Sequence, residues 1–217
     1  MFWDFRIDPG FEPQENGPEG GGLSERGPTV LSNVYLIQME IGQTTMFGDL
    51  TVRQDPRIDV SRADLAARQA AMMSMYRLQA PVYHARQAVE RLDLQLSDVE
   101  QFLRETAATE SFGSELERIT EELDDVDREL RRLLIRTGEG DKASPAGTGR
   151  QIEASTTRPT EDQLQDVEGA WRDVPEVIGR LNALILVRVP ALYRRLNDER
   201  IRADPGDPLV IPSRRGG

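Results

Sequence analysis

Three groups of side chains are of types that could do chemistry: a single histidine, a run of acids and a set of arginines. His84 is the only histidine among 217 residues, and the chain contains no cysteine. A catalytic triad or a zinc site needs several such groups close together. His84 follows Tyr83 in a helical pattern. We therefore interpret it as a surface or helix-packing residue.

The acids are densest in ELERITEELDDVDRE, residues 115–129. This run lacks the Asp-x-Asp-x-Asp-Gly spacing of a calcium loop. Its acids alternate with apolar residues three and four positions apart, as on the solvated face of a helix. Glycines between 138 and 149 follow no predicted strand and form no phosphate-binding pattern. The sequence thus predicts a protein that is not an enzyme, with no cofactor, no metal site and no small-molecule substrate.

Arginines cluster towards the C-terminus, and aromatic residues cluster at the N-terminus. The basic positions are Arg194, Arg195, Arg200, Arg202, Arg214 and Arg215, and the aromatic positions are Phe2, Trp3 and Phe5. Cations near a helix C-terminus are favourably placed against the helix dipole, which is the structural interpretation of the first four. The functional interpretation is a basic surface for an acidic partner or an anionic membrane. We predict both clusters as partner-binding residues.

The net charge is −11, because 38 acids outnumber 27 Lys and Arg residues. Phosphate backbones repel such a chain, so nucleic acid is not an expected partner. The N-terminus shows no signal-peptide pattern, and no apolar run has the length of a transmembrane helix. We expect a cytoplasmic protein, in one interpretation at the membrane surface, or a periplasmic one if the chain is a processed product.

The elements that must position these residues are mostly helices. Ser61 with Asp64 predicts a helix start, and the apolar stripe that follows has the three-and-four spacing of a coiled-coil seam. Pro81 lies inside this stripe, where the helix either kinks or ends and restarts; the kink is favoured because the flanking residues form helices well.

Two more helices share this seam spacing. Ser111-Phe112-Gly113 is interpreted as a break, after which Ser114 with Glu117 predicts a second helix over about 114–136. Thr160 with Gln163 predicts the start of a third helix, bent by Pro175 and Pro190.

Strands are confined to the N-terminal quarter. MFWDFR reads as a strand, and VYLIQMEIG and MFGDLTVR read as a hairpin around Gly42-Gln43-Thr44. The predicted organisation is a partial β-sandwich over 1–57, a long helical hairpin over 58–136, a flexible linker over 137–159, a third helix over 160–203 and a Pro-rich extended tail over 204–217. The predicted fold class is mainly α with a small β part: a three-helix coiled-coil bundle preceded by an incomplete antiparallel Ig-like sheet.

The order of these segments resembles a known family. Trp3, Asp4 and Arg6 match a WD-x-R strand, Leu50–Arg57 (LTVRQDPR) matches a strand-to-helix junction, and SRADLAARQ opens the long helix. This is similar to the C-terminal portion of bacterial BNR/Asp-box β-propeller proteins, the sortilin-like and sialidase-like repeat family. The chain departs from it at Ser32-Asn33-Val34-Tyr35, where the family has P-G-x-Y. It also lacks any Asp-box and the whole propeller, so none of the propeller's activity is carried over.

The resemblance implies that the opening strand belongs to a sandwich whose earlier strands are absent. An incomplete sheet leaves backbone groups free to pair with another chain. We expect a non-catalytic structural or interaction subunit that docks on other protein subunits, in one interpretation as an extrinsic subunit of a membrane complex. The alternative is an accessory domain of a glycan- or peptide-processing enzyme whose propeller lies on another chain.

Overall fold

The computed structural model describes residues 3–8, 10–11, 27–105, 109–134, 145–197 and 208–212. The fold is mainly helical with a small antiparallel sheet, as predicted. In chain order its elements are β1 (Asn33–Ile41), β2 (Thr44–Val52), α1 (Arg62–Glu105), α2 (Thr109–Leu134), α3 (Pro145–Ala154), α4 (Glu161–Ala183), a π-helical turn (Leu184–Arg188) and α5 (Val189–Asn197).

Helix α1 is the backbone of the bundle. The Ser61 hydroxyl accepts a hydrogen bond from the Asp64 backbone N–H (3.1 Å), which confirms the predicted helix start. The helix then continues for 44 residues, about 66 Å at 1.5 Å per residue. It runs through Pro81 without ending, so the alternative of a restart is wrong. Its buried stripe faces α2, α3 and α4.

Helix α2 begins five positions earlier than predicted, at Thr109. Ser111-Phe112-Gly113 is therefore not a break, and Ser114 lies inside the helix rather than capping it. The reason is that Phe112 is buried and continues the seam one turn before Leu116. Burying that aromatic ring outweighs the cost of about 1 kcal/mol for a glycine inside a helix.

Helix α3 lies within the stretch predicted as a linker, 137–159, so that prediction is wrong for residues 145–154. The helix packs on α1: Ile152 is fully buried, and Gly149 lies against the side chain of Met75. Arg68 of α1 donates to the carbonyls of Ile152 (3.2 Å) and Glu153 (2.9 Å). The Ile152 carbonyl also accepts from the Ser155 N–H (3.3 Å), so Arg68 adds to the hydrogen bonding of the last turn and caps α3 from the neighbouring helix.

The third predicted helix is continuous from 161 to 197 and contains a π turn. The Thr160–Gln163 capping box at its start is present in both directions, which confirms the prediction. Pro175 lies inside α4, and Pro190 is the second residue after the π turn. In that turn the Val189 N–H donates to the carbonyl of Leu184, five residues back. Residues 198–203 of the predicted helix lie outside the described residues.

Ion pairs join this helix to α2 along its length. Three arginines at 180, 188 and 195 pair with acids at 129, 122 and 115, in antiparallel order. The acids are seven residues apart, whereas the first two arginines are eight apart. The π turn uses about one residue more than an α turn, so both intervals span two turns. Arg180–Glu129, Arg188–Glu122 and Arg195–Glu115 form this ladder.

The core is one contiguous cluster between the helices. It is lined by the seams of α1, α2, α4 and α5, with Ile152 from α3 and Phe11 from the N-terminal segment. Trp171 of α4 donates from its indole N–H to the Ser74 hydroxyl of α1 (2.7 Å), so a partly buried polar atom in the seam is satisfied. The apolar seams of the described helices thus pack against one another around a single core.

Candidate protein-interaction hairpin

The hairpin is regular and tightly turned. Strands β1 and β2 pair over nine positions, from Asn33 opposite Val52 to Ile41 opposite Thr44. Gly42 and Gln43 form the two-residue connection, and Gly42 has a φ of 63°, which glycine adopts without strain. This arrangement confirms the predicted hairpin. Because register fixes which residues share a face, the two faces can be assigned directly.

One face, which we call the apolar face, carries no charged residue. It is formed by Tyr35, Ile37, Met39 and Ile41 of β1 with Thr44, Met46, Gly48, Leu50 and Val52 of β2, and ends at Asn33. The opposite, outer face carries the hairpin's only two charges, Glu40 and Asp49, beside Gln38 and apolar residues such as Phe47. Residues 33–52 contain no Lys, Arg or His.

The apolar face is uncovered along most of its length. Ile41 is 61% exposed and Met46 is 48% exposed, and exposure falls only towards the base at Tyr35 and Leu50. Within the described ranges, neither strand packs on a helix, and the sheet has no third strand. A lone two-stranded hairpin is marginally stable in water. Contiguous exposed apolar surface of this kind marks an interaction site.

An aromatic cluster extends the apolar face at its base. The Trp3 ring lies edge-on to Tyr35 (centroids 5.6 Å apart) and tilted against Phe5 (5.2 Å). Both Trp3 and Phe5 are well exposed, at 37% and 50%. The Trp3 indole N–H donates to the carbonyl of Arg6 (2.9 Å), which fixes the ring beside the hairpin. Trp3, Phe5 and Tyr35 are called the aromatic base below.

The segment that holds this cluster is a turn rather than the predicted strand. Among the described residues 3–8, only Arg6 forms a β-bridge, with Thr29. Phe5 has a φ of 61°, an uncommon and costly conformation for an aromatic residue. The Asp4 carboxylate accepts from the Arg6 N–H (3.2 Å), and the Phe5 carbonyl accepts from the Val30 N–H (2.9 Å). These bonds hold the strained turn that directs Phe5 towards solvent.

One carboxylate ties the base of the hairpin to the bundle. Oε1 of Glu153, in α3, accepts from the Arg6 guanidinium (2.9 Å) and from the Thr29 N–H (3.1 Å). Arg6 also donates to the Gly27 carbonyl (2.9 Å). Both side chains of the pair are partly buried. Through Arg68, which caps α3, this contact continues into α1.

A second attachment runs along α1. The Tyr76 hydroxyl donates to the Asp8 carbonyl (2.6 Å), and Phe11 is buried in a stacked contact with Tyr83 (4.5 Å). Burial, followed by the charge of Asp8, raises the pKa of Tyr76 above its ordinary value of 10.0. A tyrosine phenol is protonated at neutral pH even at its ordinary pKa, and this shift extends the range over which Tyr76 remains a donor to higher pH. The N-terminal segment is fastened to α1 at two points, which gives the hairpin a fixed base.

The predicted partner-binding residues separate into three groups. Trp3 and Phe5 lie in the aromatic base. Arg195 lies in α5, where it pairs with Glu115 and its guanidinium stands 5.1 Å from the centre of the Phe112 ring; Arg194 donates to the Pro190 carbonyl. Arg195 thus holds α5 on α2. The remaining positions, Phe2, Arg200, Arg202, Arg214 and Arg215, lie outside the described residues.

Sequence reasoning did not select the apolar face as a binding site. The signal was present: alternating apolar residues from Tyr35 to Ile41 predict one buried sheet face. What could not be read from the pattern is that no helix of the described chain covers this face. The candidate residue for catalysis or metal binding, His84, offers weaker evidence for a site. It is exposed, with Nδ1 3.4 Å from the Gln87 amide oxygen.

In the described part of the chain, no three acidic or histidine side chains converge in a way that could hold a metal ion. Among the helices described, none has a stretch long and apolar enough to cross a membrane. No family model, curated protein or solved structure matches the chain. The resemblance to Asp-box propeller proteins therefore stays a prediction.

Proposed function

We propose that this protein is a non-catalytic interaction subunit that docks on a partner protein through the apolar face and the aromatic base of its hairpin. The observation that carries the proposal is the uncharged, exposed face of β1 and β2, which no helix of the described chain covers. Nine-residue strands with this much exposed apolar surface gain stability when a second surface excludes water from them.

The partner surface is expected to be a β-sheet face or a similarly flat apolar surface. Two sheets pack about 10 Å apart through interdigitating side chains. Gly48, opposite Ile37 on the apolar face, leaves space into which a partner side chain could pack. The glutamate and aspartate of the hairpin lie on the outer face, so docking through the apolar face does not bury either charge.

Charge favours a protein over a membrane as the docking surface. Anionic lipid attracts Lys and Arg, and none occurs in residues 33–52. Arg195, one of the cations predicted to meet a membrane or an acidic partner, is engaged by Glu115. A partner that completes the sandwich of β1 and β2 also agrees with the predicted resemblance, in which the earlier strands of an Ig-like sheet are absent.

The test compares two aspartate substitutions on opposite faces of β1 in the tagged full chain. Ile37→Asp places a charge on the apolar face, and Gln38→Asp places the same charge on the outer face. Each variant is used to recover bound proteins from the native source at low salt. We expect wild type and Gln38→Asp to recover the same partner in stoichiometric amount and Ile37→Asp to lose it. Equal recovery by both variants contradicts the proposal.

The identity of the recovered partner decides between the two predicted functions. A partner with Asp-box repeats supports an accessory role in a propeller enzyme. A partner without them supports a structural subunit of another assembly. The amide NMR chemical shifts of β1 and β2 provide the folding control in all three proteins, because helical circular dichroism does not report on strands that pack on no described helix. A variant whose hairpin amides keep their wild-type shifts away from the substituted position has lost binding and not folding.

A further inference from the structure

A second surface, independent of the hairpin, lies where the C-terminal segment meets α4. The Asn182 side chain donates from Nδ2 to the Leu209 carbonyl and accepts at Oδ1 from the Leu209 N–H, both at 2.7 Å. Asn182 is only 8% exposed and sits among the buried residues of the α4 seam. One amide group therefore satisfies both main-chain groups of a single residue, as a paired strand would.

The described segment Pro208–Pro212 has two half-buried residues, Leu209 and Pro212. Leu209 is partly buried and packs on the core, whereas Val210 is 86% exposed. Asn182 thus binds the backbone of Leu209, and the core packs against the aliphatic Leu209 side chain, while the side chain of the next residue, Val210, stays exposed. We call the amide of Asn182 with the recess for Leu209 the Asn182 recess.

Asn182 is a polar residue at a buried position, and its amide destabilises the protein whenever it lacks hydrogen-bond partners. If Leu209 leaves, the largely buried Asn182 amide loses two hydrogen bonds, and its unsatisfied donor and acceptor destabilise the empty recess. A leucine at position 182 would avoid that penalty in the empty recess, but it would leave the Leu209 N–H and C=O without these partners when the segment is bound. The asparagine instead favours an occupant that presents a free N–H and C=O at the right spacing, which is the property of an extended strand.

The resident segment also shows the chemistry of a suitable ligand. Pro208 and Pro212 flank Leu-Val-Ile. Proline fixes its own φ and biases the preceding residue towards extended conformations, so such a segment loses little entropy on binding. The π turn begins two residues after Asn182, and its Leu186 and Val187 are exposed apolar side chains that a longer segment could reach.

We propose that the Asn182 recess is a peptide-binding site for an extended, leucine-centred, proline-flanked segment of a partner protein, and that Pro208–Pro212 is its competing resident. The chain then has two docking surfaces: the hairpin for a folded partner and this recess for an extended segment. Occupation by the partner segment displaces the resident one.

The test uses the full chain and a fluorescein-labelled peptide with the sequence of residues 206–213. Leu209→Asp removes the aliphatic side chain of the resident segment and opens the recess. We expect the peptide to bind this variant saturably by fluorescence anisotropy. Binding to Leu209→Asp/Asn182→Ala should be at least about tenfold weaker, because two hydrogen bonds are lost. Val210→Asp is the matched control: its site stays occupied, so it should bind no better than wild type.

Hydrogen exchange provides the second measurement, on unmodified protein. Millimolar unlabelled peptide should accelerate exchange of the Leu209 amide in the wild-type chain, since the resident segment is displaced. Failure of the peptide to bind Leu209→Asp, with no acceleration in wild type, overturns the proposal. A concentration-dependent dimer of the wild type that Leu209→Asp abolishes also overturns it, because the occupant is then the same segment of a second copy.

Discussion

Leu130 of α2 and Leu36 of β1 are the same residue type in two regions of one chain, at 0% and 68% exposure. The helices close their apolar seams on each other and cross-link their outer faces with three ion pairs. The hairpin pairs its strands just as regularly, but no helix of the described residues packs on either of its faces. Regular secondary structure and burial of its apolar residues are therefore separate properties. The proposed interaction site lies where regular structure leaves its apolar residues exposed.

The largest expected effect tests burial in the two regions directly. Leu130→Ala should lower the free energy of unfolding by about 3 kcal/mol, because it leaves a cavity in a closed core. Leu36→Ala should change it by less than about 0.5 kcal/mol. Urea denaturation followed by helical circular dichroism measures both. A comparable loss for the two variants would mean that the hairpin is packed on the bundle, and the contrast would fail.

The joint between the regions is the next target. Glu153→Ala removes the acceptor shared by Arg6 and Thr29. We expect a local loss of about 2 kcal/mol, since a partly buried guanidinium is left without its partner. Hydrogen exchange should therefore accelerate at residues 27–31, while the amides of α2 keep their protection. Glu40→Ala, a carboxylate on the outer face, is the control and should leave both sets of amides unchanged.

A substitution at Phe5, in the strained N-terminal turn, is expected to stabilise the protein locally. Phe5→Gly should stabilise the N-terminal turn by about 1 kcal/mol relative to Phe5→Ala, because glycine adopts a positive φ without strain. The readout is the exchange rate of the Val30 amide, which donates to the Phe5 carbonyl. Both variants remove the aromatic ring, so they should lose partner affinity equally. Equal Val30 exchange in the two variants would show that the turn stores no strain.

The smallest effect concerns charge at the start of α4. Burial, followed by repulsion from Asp162, raises the pKa of Asp166 above its ordinary value of 3.8. The folded state therefore binds the proton more tightly, and stability is lost as pH rises from the unfolded pKa through the folded one. Asp166→Asn should raise stability by about 0.5 kcal/mol at pH 7 and have almost no effect at pH 3.

Thermal melts of this variant at the two pH values give the measurement. Asp162→Asn removes the same repulsion from the other side, together with a carboxylate that favours the helix N-terminus, so the stability changes of the two substitutions should not be additive in the double variant. Full additivity would show that the two carboxylates do not interact.

Patterns that depend on nearby residues were predictable from the sequence. The helix starts at Ser61 and Thr160 and the turn at Gly42 are confirmed, because capping and turn chemistry are decided within a few residues. The start of α2 was predicted wrongly, because burial of Phe112 outweighs the local signal of Gly113.

Features that depend on distant packing were missed. Helix α3 contains a single large apolar residue, Ile152, and its stability comes from small residues against α1 and from Arg68. In the recess, Asn182 binds Leu209, which lies 27 positions further along the chain. A pattern of neighbouring residues cannot predict such a contact. For the hairpin, the pattern gave the face correctly and could not say that it stays uncovered.

The π turn at 184–188 makes this helix tolerant to a change in length. A chain with one residue fewer between Arg180 and Arg188 could wind the same stretch as an ordinary α-helix, and the arginines would still meet their acids two turns apart. The same deletion in α2, which has no wide turn in that interval, would rotate every later seam residue by about 100°. Insertions and deletions in homologous chains should therefore concentrate at this one turn.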